Sequence, residues 1–285
     1  MKELVPGVFV ETAHLGSNNA IVVTDDGVIL IDAPHRPTDA VRWRQTAESM
    51  GEVKYLIHTD HHIDHSMGNS FLPGTIIAQA ETRDGLVNHF PDDDYVDRLI
   101  RLIDPDGVPL MAGYSRRLPE VTFTDELDLH LGGRHLRLIA LSGHTPNTIG
   151  ILLPEERILF SGDNVCTASL PSFQEAYVDR WLATLDRIDG LDFDVLVPGH
   201  GELSTKAFVA TFRAQMRELI DEVHAALLSG SSRDEATTTL RYPDRIHGAT
   251  KDWAVGYPDD IVESLQVRSI GQIYDQLAAG TLVAS

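Results

Sequence analysis

The apolar positions fall into short runs, each of which ends in a turn or passes into a helix. Val5 to Val10 and Ala20 to Val23 read as strands, Asp25-Asp26-Gly27 as a hairpin turn, and Val28 to Ile31 as a buried strand. Thr38 is expected to cap a helix that runs to about Met50 and is ended by Gly51. Val53 to Ile57 is a short apolar strand leading directly into His58-Thr59-Asp60-His61-His62-Ile63-Asp64-His65. From about Glu81 to Pro119 the pattern is irregular, with two helical stretches and a Pro-Asp-Gly turn.

Strands then resume. Val121 to Phe123, Leu127 to Leu131, a Gly132-Gly133 hairpin, Leu136 to Leu141, Thr148 to Leu153 and Arg157 to Phe160 follow in order. A helix from about Ala176 to Ile188 precedes a strand over Asp194 to Val197. From about Ser204 onward the periodicity is helical, longest over Lys206 to Leu228. Strand blocks that each end in a helix predict a mixed α/β chain with helices outside the sheets. No repeat or linker divides it, so a single domain over 1–285 is expected, with 81–119 as an insertion covering the substrate and 204–285 as a helical C-terminal part.

Composition adds little except through charge. Hydrophobic residues make up 42% and charged residues 23%, the balance of an ordinary soluble globular protein. Asp and Glu number 43 against 23 Lys and Arg, a formal net charge of −20, which repels phosphate backbones and anionic lipid. Nucleic acid and membrane are therefore excluded as expected partners, leaving a small-molecule substrate; whether the chain is a homo-oligomer stays open. Cys166 is the single cysteine, so no intramolecular disulfide can form. The first residues lack a secretory apolar run, and no segment approaches the roughly 20 apolar residues that span a bilayer. A cytoplasmic protein is expected.

The chemistry concentrates where strands end. Asp60-His61-His62-Ile63-Asp64-His65 puts three histidines and two aspartates into six residues just past a buried strand. Two carboxylates crowded together in a partly desolvated place repel one another, and a divalent cation removes that repulsion. Imidazole with carboxylate is a donor set for zinc, iron or manganese. Ser142-Gly143-His144-Thr145-Pro146, Ser161-Gly162-Asp163-Asn164 and Pro198-Gly199-His200-Gly201 each follow a strand as well. Singly, each is an ordinary turn.

In this order the motifs resemble those of the metallo-β-lactamase superfamily. Gly16-Ser17-Asn18-Asn19 and Asp26-Gly27-Val28-Ile29-Leu30-Ile31-Asp32 look like that family's first motif, and the resemblance covers roughly residues 5 to 205. It implies a four-layer αββα sandwich, with two mixed β-sheets face to face and helices on both outer sides. It further implies two divalent metals, zinc foremost, with manganese or iron as alternatives. The first would take Asp60, His62 and His144, and the second Asp64, His65 and His200. Asp163 would bridge them, and Asp32 would support the loop from behind.

The family has His where this chain has Asp60, and His61 would point away from the metals. Three carboxylates with a bridging hydroxide would neutralise two dications. That weakens the metals as Lewis acids and tilts preference slightly toward manganese or iron.

The implied activity is hydrolysis, in which a metal-bridging hydroxide attacks an ester, lactone, thioester or amide carbonyl, or less readily phosphorus or sulfur. Asp64 would be the catalytic proton carrier. Tyr114, Arg116 and Arg117 are candidate substrate contacts, with surface charge balance as their plainer reading. Cys166 is expected to be a buried inert thiol. Trp253, Tyr257 and a helix over about Asp259 to Ala279 could close the pocket or form a subunit contact. Two alternatives stand beside the hydrolase: an iron-dependent redox enzyme of the same fold, and a non-catalytic metal- or ligand-binding protein.

Overall fold

The computed structural model describes residues 1–168, 172–241 and 256–284. Backbone packing groups them into two compact units: Met1–Ala140 with Asn147–Phe160, and Leu141–Pro146 with the chain from Ser161 onward. Trp253 lies outside the described residues.

In the first unit, β1 (Lys2–Val5), β2 (Val8–Glu11), β3 (Asn19–Thr24) and β4 (Gly27–Ile31) pair antiparallel in sequence order. The single strand expected over 5–10 is two, because Pro6-Gly7 makes a turn. Helix α1 (Pro37–Met50) crosses over, and the sheet continues in parallel through β5 (Val53–Ile57), β6 (Thr75–Gln79) and β7 (Val121–Phe123). Parallel neighbours need such crossovers, and buried parallel strands read as continuous apolar runs.

One face of this sheet sends Ile21, Val28, Leu30, Leu56 and Ile76 against Trp43 and Ala47 of α1. In register on the other face stand Ile31, Ile57 and Ile77, each at most 2% exposed. With both faces buried, the β4–β6 centre is a fixed platform for the loops that leave it.

Between β6 and β7 lie α3 (Ala80–Asn88), α4 (Asp93–Ile103) and a 3-10 turn over Pro105–Gly113; α2 (Ile63–Ser66) is a single turn after β5. Asp92 caps α4 by accepting from Tyr95 N at 2.8 Å. The second sheet contributes β8 (Glu126–Leu131), β9 (Arg134–Ala140), β10 (Ile149–Leu153) and β11 (Ile158–Phe160), each pairing antiparallel with the next. It is stitched to the first sheet by Asp25 N donating to Gly132 O at 3.0 Å and Ile149 N donating to Thr59 O at 2.8 Å.

The second unit holds α5 (Val178–Gly190), the β12 (Val195–Val197) and β13 (Ser204–Thr205) hairpin, α6 (Phe208–Leu228), α7 (Arg233–Thr239) and α8 (Asp259–Ala278). Trp181 on α5 is fully buried against Phe173 and Phe212, with ring centroids 5.0 and 6.2 Å away. A reciprocal capping box between Ser232 and Glu235 starts α7, and Arg233 pairs with Asp275 of α8 at 2.9 Å. Among the described residues no helix is long and apolar enough to cross a membrane.

Candidate metal centre

The acid–histidine cluster sits at the carboxyl end of β5, where parallel strands present their ligand-binding loops. Asp60 is fully buried, and its Oδ1 accepts the backbone N–H of His62 at 2.9 Å, folding the loop back on itself. His62 is the residue before the first turn of α2. Asp60 with His62, and Asp64 with His65, form two pairs whose donor atoms lie within 4.8 Å of one another.

The loop is held from below by Asp32, at the end of β4. Its Oδ2 accepts from Thr59 Oγ1 at 2.6 Å and meets His65 Nδ1 at 2.8 Å, while Oδ1 accepts from Thr59 N at 2.8 Å. Burial alone would raise the Asp32 pKa, but the charge of His65 and hydrogen bonds from His58 and His65 outweigh it and hold the carboxyl below the usual range. Asp32 also takes a left-handed backbone (φ 55°), rare outside glycine and a form of strain common at functional sites. His65 turns Nδ1 to Asp32 while its Nε2 lies 4.0 Å from Asp64 Oδ2, and a second partner on Nδ1 is typical of metal-binding histidines. Upstream, Ser17 Oγ donates to Asp64 O at 2.8 Å, tying the Gly16–Asn19 segment to the same loop.

His61 makes contacts of its own. Its Nδ1 lies 3.2 Å from Asn147 Oδ1, and its ring presses on Gly85 of α3, where a Cβ would stand 2.5 Å from His61 Cγ. Glycine is required there by close approach.

The second unit gathers His144, Asp163 and His200. Asp163 Oδ2 lies 3.5 Å from His144 Nε2 and 3.3 Å from His200 Nε2. The side chains of Asp163 and His144 are 6% and 1% exposed, so the carboxylate is buried among imidazoles. Gly199 leaves room for it, since a Cβ at that position would collide with Asp163 Oδ1. Asn164 Oδ1 accepts from His144 N at 3.3 Å, and its Nδ2 donates to Leu141 O at 2.7 Å. Trp181 Nε1 donates to Asn164 O at 3.0 Å, and its ring meets His144 edge-on at 5.4 Å. Cys166 is buried, with Sγ 3.7 Å from Asp163 Oδ1.

Some of these supports were not foreseen from the sequence. Asn164 could have been suspected as the neighbour of Asp163. Thr59, Asn147 and Trp181 carry no local signal, because their partners are distant in the chain. Of the three candidate substrate contacts, Tyr114 and Arg116 line a cavity between α3, α4 and the 105–113 turn. Arg117 donates to Leu72 O and Gly74 O at 2.6 and 2.5 Å, so its guanidinium braces the turn before β6.

A donor set of imidazoles and carboxylates, mostly buried, suits zinc, manganese or iron and does not select among them. The sequence profile of the metallo-beta-lactamase superfamily matches residues 14–200, more than half of the chain. The linear primary-alkylsulfatase of Pseudomonas sp. (strain ATCC 19151) is 22% identical over 241 residues, covering 70% of this chain and 44% of that protein. The chain spans about half the length of the curated relatives it matches.

Among solved structures, a metallo-beta-lactamase family protein from Thermus thermophilus superposes with a TM-score of 0.68 at 18% identity, covering 98% of this chain and 95% of that one. A stereoselective inverting sec-alkylsulfatase from Pseudomonas sp. gives 0.68 at 17% identity, over 99% of this chain and 52% of that one. Identities this low establish the fold, an α/β arrangement of two β-sheets with helices, as the motifs led one to expect. The chain belongs to the metallo-β-lactamase superfamily.

Proposed function

We propose that the chain is a dinuclear metal-dependent hydrolase acting on an ester, lactone, thioester or amide of a small molecule. In this reading the Asp60–His62 pair with His144 would hold one divalent cation, the Asp64–His65 pair with His200 would hold the other, and Asp163 would serve both. The observation that carries the reading is the Asp163 carboxylate, buried with one oxygen within 3.5 Å of both His144 and His200. Bound cations would activate water and polarise the scissile carbonyl.

The protein's own part is positioning. Asp32 orients His65, Asn164 fixes the backbone at His144, and Asp60 folds the cluster loop. The side chain of Asp64 is 21% exposed while that of Asp60 is fully buried, so Asp64 is the acid able to pass a proton to a leaving group.

The test combines metal analysis with an aryl ester and lactone screen. Wild-type protein should carry close to two metals and hydrolyse at least one member, whereas Asp163→Ala should lose shared metal binding and activity together. Full metal content and activity in Asp163→Ala would refute the reading.

A second substrate class has a specific observation behind it. Two alkylsulfatases stand among the relatives, so sulfate esters of alkyl alcohols join the screen, read by release of inorganic sulfate.

A further inference from the structure

The cavity between α3, α4 and the 105–113 turn has a volume of about 640 Å3, within the range of small-molecule pockets. Its apolar wall is Leu86 and Val96, both buried, with Met111 and Leu118. Its polar wall is Tyr114, Arg116 and Asp93. Among the described residues the buried Tyr114 hydroxyl has no hydrogen-bond partner, an unfavourable state unless something in the cavity answers it. Burial pushes this phenol up to about 12, with Arg116 pulling it down and Asp93 pushing it up, so both charges stand near the hydroxyl.

The charges also select the head group. Arg116 is held over the Phe90 ring, 4.6 Å from its centroid, and the carboxylates of Asp93 and Asp97 line the same cavity. An anion meets two carboxylates against one guanidinium, and a cation meets that guanidinium beside the tyrosine. A neutral acceptor avoids both penalties.

The cavity is built onto the segment that carries the acid–histidine cluster. Gly85, next to Leu86, lies against His61. On the other wall, Arg117 N donates to Asn69 Oδ1 at 3.2 Å, Asn69 Nδ2 donates to Arg117 O at 3.0 Å, and Ser115 N donates to Ser70 Oγ at 3.0 Å.

We propose that this cavity binds a neutral amphipathic molecule, with an alkyl or aryl body against Leu86, Val96, Met111 and Leu118 and a carbonyl-type oxygen accepting a hydrogen bond from Tyr114. This binding does not depend on the metal chemistry proposed above, and it is measured separately from turnover. The probes are 4-butylacetophenone and its isosteric alkene, 4-butyl-α-methylstyrene, titrated calorimetrically into the protein as purified and again after chelation. The ketone should bind about fivefold more tightly than the alkene, the equivalent of one net hydrogen bond of about 1 kcal/mol.

Tyr114→Phe should remove that preference while keeping the alkene's affinity. Val96→Trp should block both ligands, and Met111→Trp, on a less buried part of the wall, serves if the first variant misfolds. Failure of both probes to bind, equal affinity for the two in wild type, or undiminished binding in a folded tryptophan variant would each overturn the proposal.

Discussion

The carboxylate of Asp163 fills the space that a side chain at residue 199 would need. Gly199 N donates to Gly162 O and Val165 O at 3.0 and 3.1 Å, so the two turns cannot easily separate to make room. Gly199→Ala should therefore displace Asp163 and lower metal affinity by about 10–100-fold, the range seen when a ligand's support is disturbed. Competition with a chromogenic chelator checks this, and wild-type affinity in the variant would argue against it.

Asp32→Asn keeps the shape of the support but removes its charge from beneath His65 and Thr59. An amide can present an N–H where the imidazole needs an acceptor. Metal affinity should fall about 10–100-fold, with Asp32→Ala worse still because the buried Thr59 N–H then loses its acceptor. Equilibrium dialysis followed by elemental analysis reads the outcome.

Asp60 does two jobs that substitution can separate. Asp60→Asn preserves an acceptor for His62 N but not the charge, so folding should be near normal while metal binding weakens. Asp60→His should keep two metals bound, yet give up that backbone bond at a cost of about 1 kcal/mol. Thermal unfolding of metal-free protein isolates the second effect. Unchanged occupancy in both variants, with unaltered kinetics, would remove Asp60 from the ligand set.

Tyr114 gives a pH prediction. Its phenol is pushed up to about 12 by burial, so the folded protein keeps that proton where the unfolded chain has lost it. The stabilisation is complete below the ordinary tyrosine pKa of about 10 and is lost as pH rises from there toward about 12. Ultraviolet titration should show one phenolate appearing late, absent in Tyr114→Phe. A normal titration of all tyrosines would contradict the burial.

Removing metal should unload the protein reversibly. Chelation should abolish any hydrolysis found in the screen and lower the unfolding temperature, because a ligand that binds only the folded chain stabilises it. Adding back zinc, manganese or iron(II) separately then ranks the metals, with activity recovered in none of them as the contrary result.

Much of the fold was legible because it rests on short-range rules. Val53–Ile57 is an apolar run whose bounds the structure matches. The helix expected to be capped by Thr38 begins before it, at Pro37, since proline fits the first helical position, and Thr38 Oγ1 donates instead to Asp104 Oδ1 at 3.0 Å. The ends of strands were readable too, and Asp60, His144, Asp163 and His200 each follow one.

What escaped was set by tertiary contact. Strand β6 (Thr75–Gln79), as long as β5, was not read from the sequence; in the fold it pairs in parallel with Tyr55–Ile57 and Val121–Phe123. The tie between Asp32 and His65, 33 residues apart, followed from family likeness and from no local pattern. Arg117 was a candidate substrate fork on the chemistry of its guanidinium, with surface charge balance the plainer reading, and only the folded chain reveals the carbonyls of Leu72 and Gly74 that it grips.

That grip by Arg117, with the Asn69 and Ser70 bonds beside it, pins the far end of the 81–118 segment, while Gly85 docks the near end on His61. Between those moorings, Val96, Met111 and Tyr114 touch the cavity and carry no part of the acid–histidine loop. Under the binding proposed for this cavity, exchanging these few side chains would change what it accepts and leave the acid–histidine loop untouched.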